Sequence, residues 1–120
     1  MKNKILVIED NEQNLYLVSF ILQAHGHEVF EAQNGHTGIE LADKLVPDLI
    51  LLDIQLPVMD GYAVARNLRQ NPKLTGVPIV AITSYAMVGD KEQTLAAGCT
   101  GYIEKPINPD TFMTEIESFL

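Results

Sequence analysis

The sequence has little cysteine, no tryptophan and no long apolar run. Its one cysteine, Cys99, cannot form an internal disulfide, so nothing indicates an oxidising compartment. The longest apolar runs are about four residues, whereas a membrane-spanning helix needs about 20. The apolar stretch near the N-terminus is too short for the core of a signal peptide. We therefore expect a soluble, cytoplasmic protein.

Positive charge is also scarce. Eight Lys and Arg stand against 16 Asp and Glu, which gives a formal net charge of −8 at pH 7. The basic residues are scattered, whereas binding to a nucleic-acid backbone needs them clustered. The composition therefore argues against direct DNA binding and against docking to an anionic membrane. An acidic surface suits cations and basic partner patches, and it also simply favours solubility.

What the sequence does contain is typical of one folded domain. The 120 residues are 47% apolar and 20% charged, which is enough apolar surface for a core without disulfides. We find no repeat, low-complexity tract or linker. We expect residues 1–120 to form a single domain, with no output domain attached.

Short apolar runs alternate with helical patterns along the chain. The runs ILVI, LILL and IVAI are continuously apolar, as expected for parallel strands buried on both faces. Two more polar segments are typical of edge strands. The predicted strands cover residues 5–8, 29–32, 49–52, 79–82 and 101–103.

Five helices are predicted between and after these strands. The first ends at Gly26 and the second at Pro47, while the last begins with Asn108 as N-cap and Pro109 at its first position. The third and fourth cover about residues 61–70 and 87–97. This order predicts an α/β fold, a flavodoxin-like doubly wound (βα)5 sheet of order 2-1-3-4-5 with helices on both faces.

Polar residues follow four of the predicted strands within one or two positions. Glu9 and Asp10 follow the first, Asp53 the third, Thr83 the fourth and Lys105 the fifth. In a doubly wound sheet these positions meet at one edge, where ligands bind. Three carboxylates beside one ammonium predict a site for Mg²⁺, and a carboxylate held there can act as a nucleophile toward a phosphoryl group. For Asp10 alone, a helix-capping role is an equally good interpretation.

Together these stretches resemble a response-regulator receiver domain of the CheY-like family along essentially the whole chain. The resemblance rests on four stretches in their order and spacing. They are ILVIEDN from residue 5, PDLILLDIQLPVMDG from residue 47, PIVAITS from residue 78 and GCTGYIEKP from residue 98. The chain is also similar to single-domain cell-division regulators and to the receivers of hybrid kinases.

The resemblance implies a role for each residue of the site. Asp53 would accept a phosphoryl group from a sensor histidine kinase or a histidine phosphotransfer protein. Asp10 would bind Mg²⁺ directly and Glu9 through water, with Asp53 and the backbone carbonyl of Gln55 as further ligands. Lys105 would pair with the phosphoryl oxygens, and the Lys105–Pro106 peptide bond would be cis.

The family resemblance also implies a switch and an output. Thr83 would be the switch hydroxyl and Tyr102 the switch aromatic. For Tyr85, a role beside the site and an ordinary exposed loop position fit equally well. For Met87, an output surface and filling of the core remain open alternatives. A monomer or weak dimer would signal by binding a downstream protein through the face formed by helix 4, strand 5 and helix 5. The protein would not be an enzyme, apart from assisting its own phosphotransfer and autodephosphorylation.

Other functions fit the residues less well. A flavodoxin-like cofactor binder needs a phosphate loop after the first strand, where this chain has acidic residues. A phosphatase with an aspartate nucleophile would normally carry a second acid where Gln55 stands, and a scaffolding pseudo-receiver would lack a site residue. A standalone regulator, a relay intermediate and the receiver of a hybrid kinase remain open alternatives.

Overall fold

The computed structural model describes residues 2–84 and 88–120, and for residues 88–90 it describes only the backbone. In this part of the chain five strands alternate with five α-helices. The strands are β1 (Lys4–Ile8), β2 (Glu28–Ala32), β3 (Leu49–Asp53), β4 (Ile79–Thr83) and β5 (Gly101–Glu104). The helices are α1 (Glu12–Ala24), α2 (Gly35–Leu45), α3 (Gly61–Arg69), α4 (Val88–Ala96) and α5 (Pro109–Glu117).

The strands form one parallel sheet in the order β2-β1-β3-β4-β5, which confirms the predicted fold. Every residue of β3 and β4 is buried, as their continuous apolar runs predict. The two segments predicted as edge strands, β2 and β5, lie at the edges and are partly exposed.

Helices cover both faces of the sheet. On one face, residues of α1 and α5 such as Leu22 and Phe112 pack against the odd-numbered side chains of β1 and β3. On the other face, residues of α2 and α3 such as Ala42 and Val64 pack against the even-numbered ones. Strand side chains alternate between faces, so each buried strand contributes to both cores. No helix in the described part of the chain is both long and apolar enough to span a membrane.

The helix ends follow the capping signals in the sequence. Asn108 caps α5 through its side chain, and Pro109 occupies the first turn, as predicted. Helix α2 ends at Leu45, two residues before Pro47, with Val46 in a left-handed conformation. A short 3₁₀ helix at Pro72–Leu74 was not predicted, because three residues carry no periodic pattern. Of the fourth predicted helix, position 87 lies outside the described residues.

Candidate functional site

The predicted polar residues meet at the carboxyl edge of the sheet. Strand β1 pairs with β3 so that Ile8 lies beside Leu52, which places the next residues, Glu9 and Asp53, side by side. Lys105 reaches the same point from the segment after β5. The structure thus brings together residues that are up to 96 positions apart in the sequence (105 − 9). Parallel strands with this topology leave a crevice at this edge.

Lys105 is the cation of the site. Its Nζ lies 3.3 Å from Glu9 Oε1 and 3.2 Å from Asp53 Oδ1. The side chains are only 15%, 5% and 3% exposed for Lys105, Glu9 and Asp53, so water screens these contacts little. With Asp10 included, one positive charge faces three carboxyl groups. The site therefore has an excess of acidic groups.

Burial and proximity shift the two buried carboxyl groups in opposite directions. Burial, together with Asp53, raises the pKa of Glu9 to about 8. Burial also acts to raise the pKa of Asp53, but hydrogen bonds from Glu9 and the Gln55 amide, together with Lys105, outweigh it and lower that pKa. Two carboxyl groups this close cannot both ionise at low cost, and these shifts favour negative charge on Asp53 over negative charge on Glu9.

The donor set fits a hard divalent cation. Ligand oxygens of Glu9, Asp10 and Asp53 all lie within 4.8 Å of one another. Glu9 Oε2 is buried and has no hydrogen-bond partner, the one such side-chain atom among the described residues. A buried carboxylate oxygen without a partner is costly unless something else binds it. Mg²⁺ prefers carboxylate oxygens and keeps several waters, and exposed Asp10 leaves that side of the site open to water.

The loop after β3 shapes the site. The Gln55 backbone N–H donates a hydrogen bond of 2.9 Å to Asp53 Oδ1 and so fixes the carboxylate. A side chain on Gly61 would meet the Ile54 backbone at 2.4 Å and the Asp53 carbonyl oxygen at 2.6 Å, so only glycine fits there. Asp60 caps α3 by accepting a hydrogen bond from the Ala63 N–H.

Sequence reasoning missed two features of this loop. It assigned the carbonyl of Gln55 but not its N–H, although an amide two residues after an aspartate is a common partner of that side chain. It also missed Val58, which is fully exposed with a left-handed φ of 68°. No local signal could have revealed this, because a β-branched residue rarely adopts that conformation.

The two predicted switch residues lie on adjacent strands. Thr83 is buried at the end of β4, and its carbonyl accepts a hydrogen bond of 2.8 Å from the Lys105 N–H. Tyr102 on β5 is half-buried and pairs with Ala81. Laterally paired residues point to the same face, and so do residues two apart in a strand, so Thr83 and Tyr102 share one face of the sheet. Tyr85 and Met87 lie outside the described residues.

His27 and Cys99 lie at the opposite edge of the sheet from the site. Among the described residues, the three-carboxylate group is the one cluster suited to a metal, and it contains no histidine. His27 accepts a hydrogen bond from the Asn3 N–H at the opposite edge of the sheet. Cys99 is buried, and this burial raises the pKa of its thiol to about 11.

This geometry is accompanied by a family match over nearly the whole chain. Residues 5–117 match the response regulator receiver domain, and the chain belongs to this family of two-component signalling proteins. It is a signalling domain and not a classical enzyme. The predicted resemblance is thereby confirmed.

Individual relatives support the same assignment. The chain is 39% identical to the polar-differentiation response regulator DivK of Brucella anthropi, with 100% of this chain and 98% of DivK covered. Among solved structures it is similar to the chemotaxis protein CheY4 of Vibrio cholerae, with a TM-score of 0.95, 30% identity and full coverage of both chains.

A third relative carries a metal. The receiver domain of the sensor histidine kinase PA1611 from Pseudomonas aeruginosa PAO1 was solved with a magnesium ion coordinated in its active site cleft. It is 32% identical to this chain, with a TM-score of 0.91 and coverage of 99% of this chain and 98% of that one. Relatives thus include both a single-domain regulator and a kinase receiver.

Proposed function

We propose that this protein is a phosphorylation-activated switch of a two-component phosphorelay, with Asp53 as the phosphoacceptor. The observation that carries the proposal is the state of Asp53. It is a buried carboxylate, kept charged by Lys105 and the Gln55 N–H, beside a neighbour with an unsatisfied oxygen. A structural ion pair would not need the additional acidic groups at this edge.

The donor of the phosphoryl group is a phosphohistidine on a sensor kinase or on a histidine phosphotransfer protein. An Asp53 oxygen attacks phosphorus, an O–P bond forms, and the P–N bond to the imidazole breaks with its electron pair leaving on nitrogen. Lys105 compensates the charge on the phosphoryl oxygens, as its position 3.2 Å from Asp53 allows. Attack by water on the same phosphorus later releases phosphate, which is the autodephosphorylation that the domain assists.

Glu9, Asp10, Asp53 and the carbonyl of Gln55 are the proposed holders of Mg²⁺, with Asp10 binding directly and Glu9 through water. The bound ion supplies positive charge that neutralises the phosphoryl oxygens during transfer. The unpartnered Glu9 oxygen and the spacing of the three carboxylates support this assignment.

Phosphorylation adds about −1.5 to −2 charges beside Lys105. We propose that the Thr83 hydroxyl then donates a hydrogen bond to the new oxygens and that Tyr102 rotates further inward. The two side chains share one face of adjacent strands, so a shift of the first changes the space available to the second. The new charge shifts the equilibrium between the positions of Thr83 and Tyr102 before and after this movement.

The output is a change in protein contacts. The face formed by α4, β5 and α5 carries Tyr102 and is the proposed binding surface for a downstream protein. A net charge of −8 with scattered basic residues supports protein partners and not nucleic acid or membranes. Residues 1–120 would act as one receiver domain in the cytoplasm, as a monomer or weak dimer.

Phosphoryl incorporation tests the proposal. Wild-type protein should take up one phosphoryl group from acetyl phosphate or phosphoramidate only with Mg²⁺, in a linkage cleaved by hydroxylamine. Asp53→Asn should take up none. Asp60→Asn is the matched control, because asparagine also caps helices and the residue lies in the same loop. Incorporation that persists in Asp53→Asn would refute the assignment of the acceptor.

A further inference from the structure

A groove with a volume of about 580 Å³ lies between β5 and α5. Tyr102, Pro106 and Phe119 supply its apolar surface. The ring of Phe119 lies directly on the backbone of Gly101, where a side chain carbon would come within 2.6 Å of it. This glycine therefore lets the aromatic ring pack onto an edge strand and form the floor of the groove.

The polar lining of the groove carries one sign of charge. Glu104 of β5 and Glu115 of α5 line it, both exposed, and no Lys or Arg of the described residues does so. Lys105, the basic residue next to Glu104, points away to Glu9 and Asp53. The remaining polar lining residues are hydrogen-bonding groups without charge, Asn108, Thr111 and Ser118.

One aromatic ring of the groove is already in contact with a cation. The ammonium group of Lys91, on α4, lies 5.6 Å from the centroid of the Tyr102 ring. An ammonium or guanidinium group over an aromatic face gains electrostatic attraction, and more so when water is excluded. Lys91 of the chain itself thus occupies the Tyr102 ring, and what the groove offers a partner is two carboxylates around an apolar floor.

From this charge pattern we infer that the groove binds a partner segment that is amphipathic and basic, with apolar side chains on the floor and Lys or Arg beside Glu104 and Glu115. The inference rests on the proposed output face and specifies the chemistry of its partner. Opposite charges around an apolar centre give such an interface its specificity and speed of association. A second copy of this chain is a poorer occupant, because two molecules of net charge −8 repel each other.

The test selects binders from a displayed library of short random peptides, without phosphorylation. Selected peptides that shift amide resonances of β5 and α5 are then resynthesised with their Lys and Arg replaced by Gln or Glu. Wild-type protein should enrich peptides with apolar residues and Lys or Arg. The Gln versions should bind at least about tenfold more weakly, and the Glu versions should not bind measurably.

Two matched charge-reversal variants test whether the preference for basic peptides arises in the groove. Glu115→Lys should abolish the preference for basic peptides. Glu40→Lys makes the same change on an exposed helical position of α2 and should keep that preference. The inference would be overturned if the library yielded acidic or uncharged peptides, or none that maps to the groove. It would also be overturned if the protein self-associated through the groove, or if both charge reversals had equal effects.

The result is separable from the phosphorelay proposal. A basic preference that depends on Glu115 supports the groove inference even if the phosphoryl mimic beryllofluoride with Mg²⁺ leaves affinity unchanged, which would instead contradict the proposed switch. If beryllofluoride alters binding of peptides that show no charge preference, the switch stands and the groove inference fails.

Discussion

Two cationic side chains are anchored at opposite edges of the sheet, and they are satisfied in different ways. Lys105, at the carboxyl edge, contacts two buried carboxyl groups. Arg69, at the amino edge of β4 and β5, donates to the carbonyl oxygens of Gly98, Leu74 and Val77 at 2.7–2.8 Å and to Thr100 Oγ1 at 3.3 Å.

The difference supports the carboxyl edge as the functional site. The partners of Arg69 are mostly backbone carbonyls that need donors for folding alone, so this residue joins the end of α3 to the loops before β4 and β5. The partners of Lys105 are ionisable side chains, and the site holds more carboxyl groups than positive charges. One of the carboxyl oxygens, Glu9 Oε2, has no hydrogen-bond partner. Each guanidinium nitrogen of Arg69 has a hydrogen-bond partner, whereas Glu9 Oε2 beside Lys105 has none. An unpartnered buried polar atom of this kind is typical of a functional site.

The largest expected effect is on phosphoryl transfer. Lys105→Gln should slow the incorporation of phosphate by about 10²–10³-fold, because it removes charge that stabilises the transition state. Rates of incorporation from acetyl phosphate, measured with Mg²⁺, check this. Lys73→Gln is the control, since it breaks an ion pair of similar length, 3.2 Å to Asp43, on the exposed surface. Equal rates for both variants would show that Lys105 is only structural.

The second effect is on stability. Arg69→Met should lower the free energy of unfolding by about 2–4 kcal/mol, because several carbonyl oxygens lose their donor. Denaturant titration measures it, and Arg66→Met on an exposed position of the same helix should change little. Below its unfolding transition the Arg69 variant should still be phosphorylated at Asp53. A variant that keeps its stability but loses phosphorylation would reverse the roles given to the two edges.

The third effect concerns coupling along α4, which follows Thr83 after a short segment and ends near the Gly98 carbonyl bound by Arg69. Thr83→Ala should still accept a phosphoryl group but lose most of the resulting change in partner affinity, expected at about 5–150-fold. Binding to the α4–β5–α5 face, compared with and without beryllofluoride, measures this. If the variant switches as well as wild type, the coupling runs through other residues.

The fourth effect is metal-dependent stability. Mg²⁺ at about ten times its dissociation constant should stabilise the wild type by about 1.4 kcal/mol, since it binds the folded state. Asp10→Asn should lose this gain, whereas Glu40→Gln on α2 should keep it. Thermal unfolding with and without Mg²⁺ provides the measurement. Equal stabilisation of wild type and Asp10→Asn would place the metal elsewhere.

The smallest effect is at Cys99, on the same side as Arg69. Its folded thiol has a pKa of about 11 against 9.0 when unfolded. Between pH 9 and 11 the Cys99 thiol stays protonated in the folded state but ionises in the unfolded state. The free energy of unfolding therefore falls as pH rises through this range. At pH 8 the thiol should react with labelling reagents only through unfolding, and Cys99→Ala should cost about 1 kcal/mol. Rapid labelling of the folded protein would show that reagents reach the Cys99 thiol without unfolding.

Much of the fold was predictable because its signals are local. The runs ILVI, LILL and IVAI indicate buried strands, and all three are found, each extended by at most one residue. Asn108 and Pro109 mark a helix start by capping chemistry alone. The left-handed Val46 and Val58 were not predictable, because β-branched residues rarely adopt that conformation and no local pattern signals it.

For the site, the sequence by itself determined which residues stand at strand ends, since strand periodicity and the parallel order place Glu9, Asp53 and Lys105 at one edge. Only the tertiary structure decided how they share charge. Burial and distances of a few ångströms give Glu9 a raised pKa and Asp53 a lowered one, and these depend on packing between elements far apart in the chain. Likewise, the sequence contains Arg69 without any sign of its role, because backbone carbonyls are present at every residue and only folding selects which of them converge on one guanidinium group.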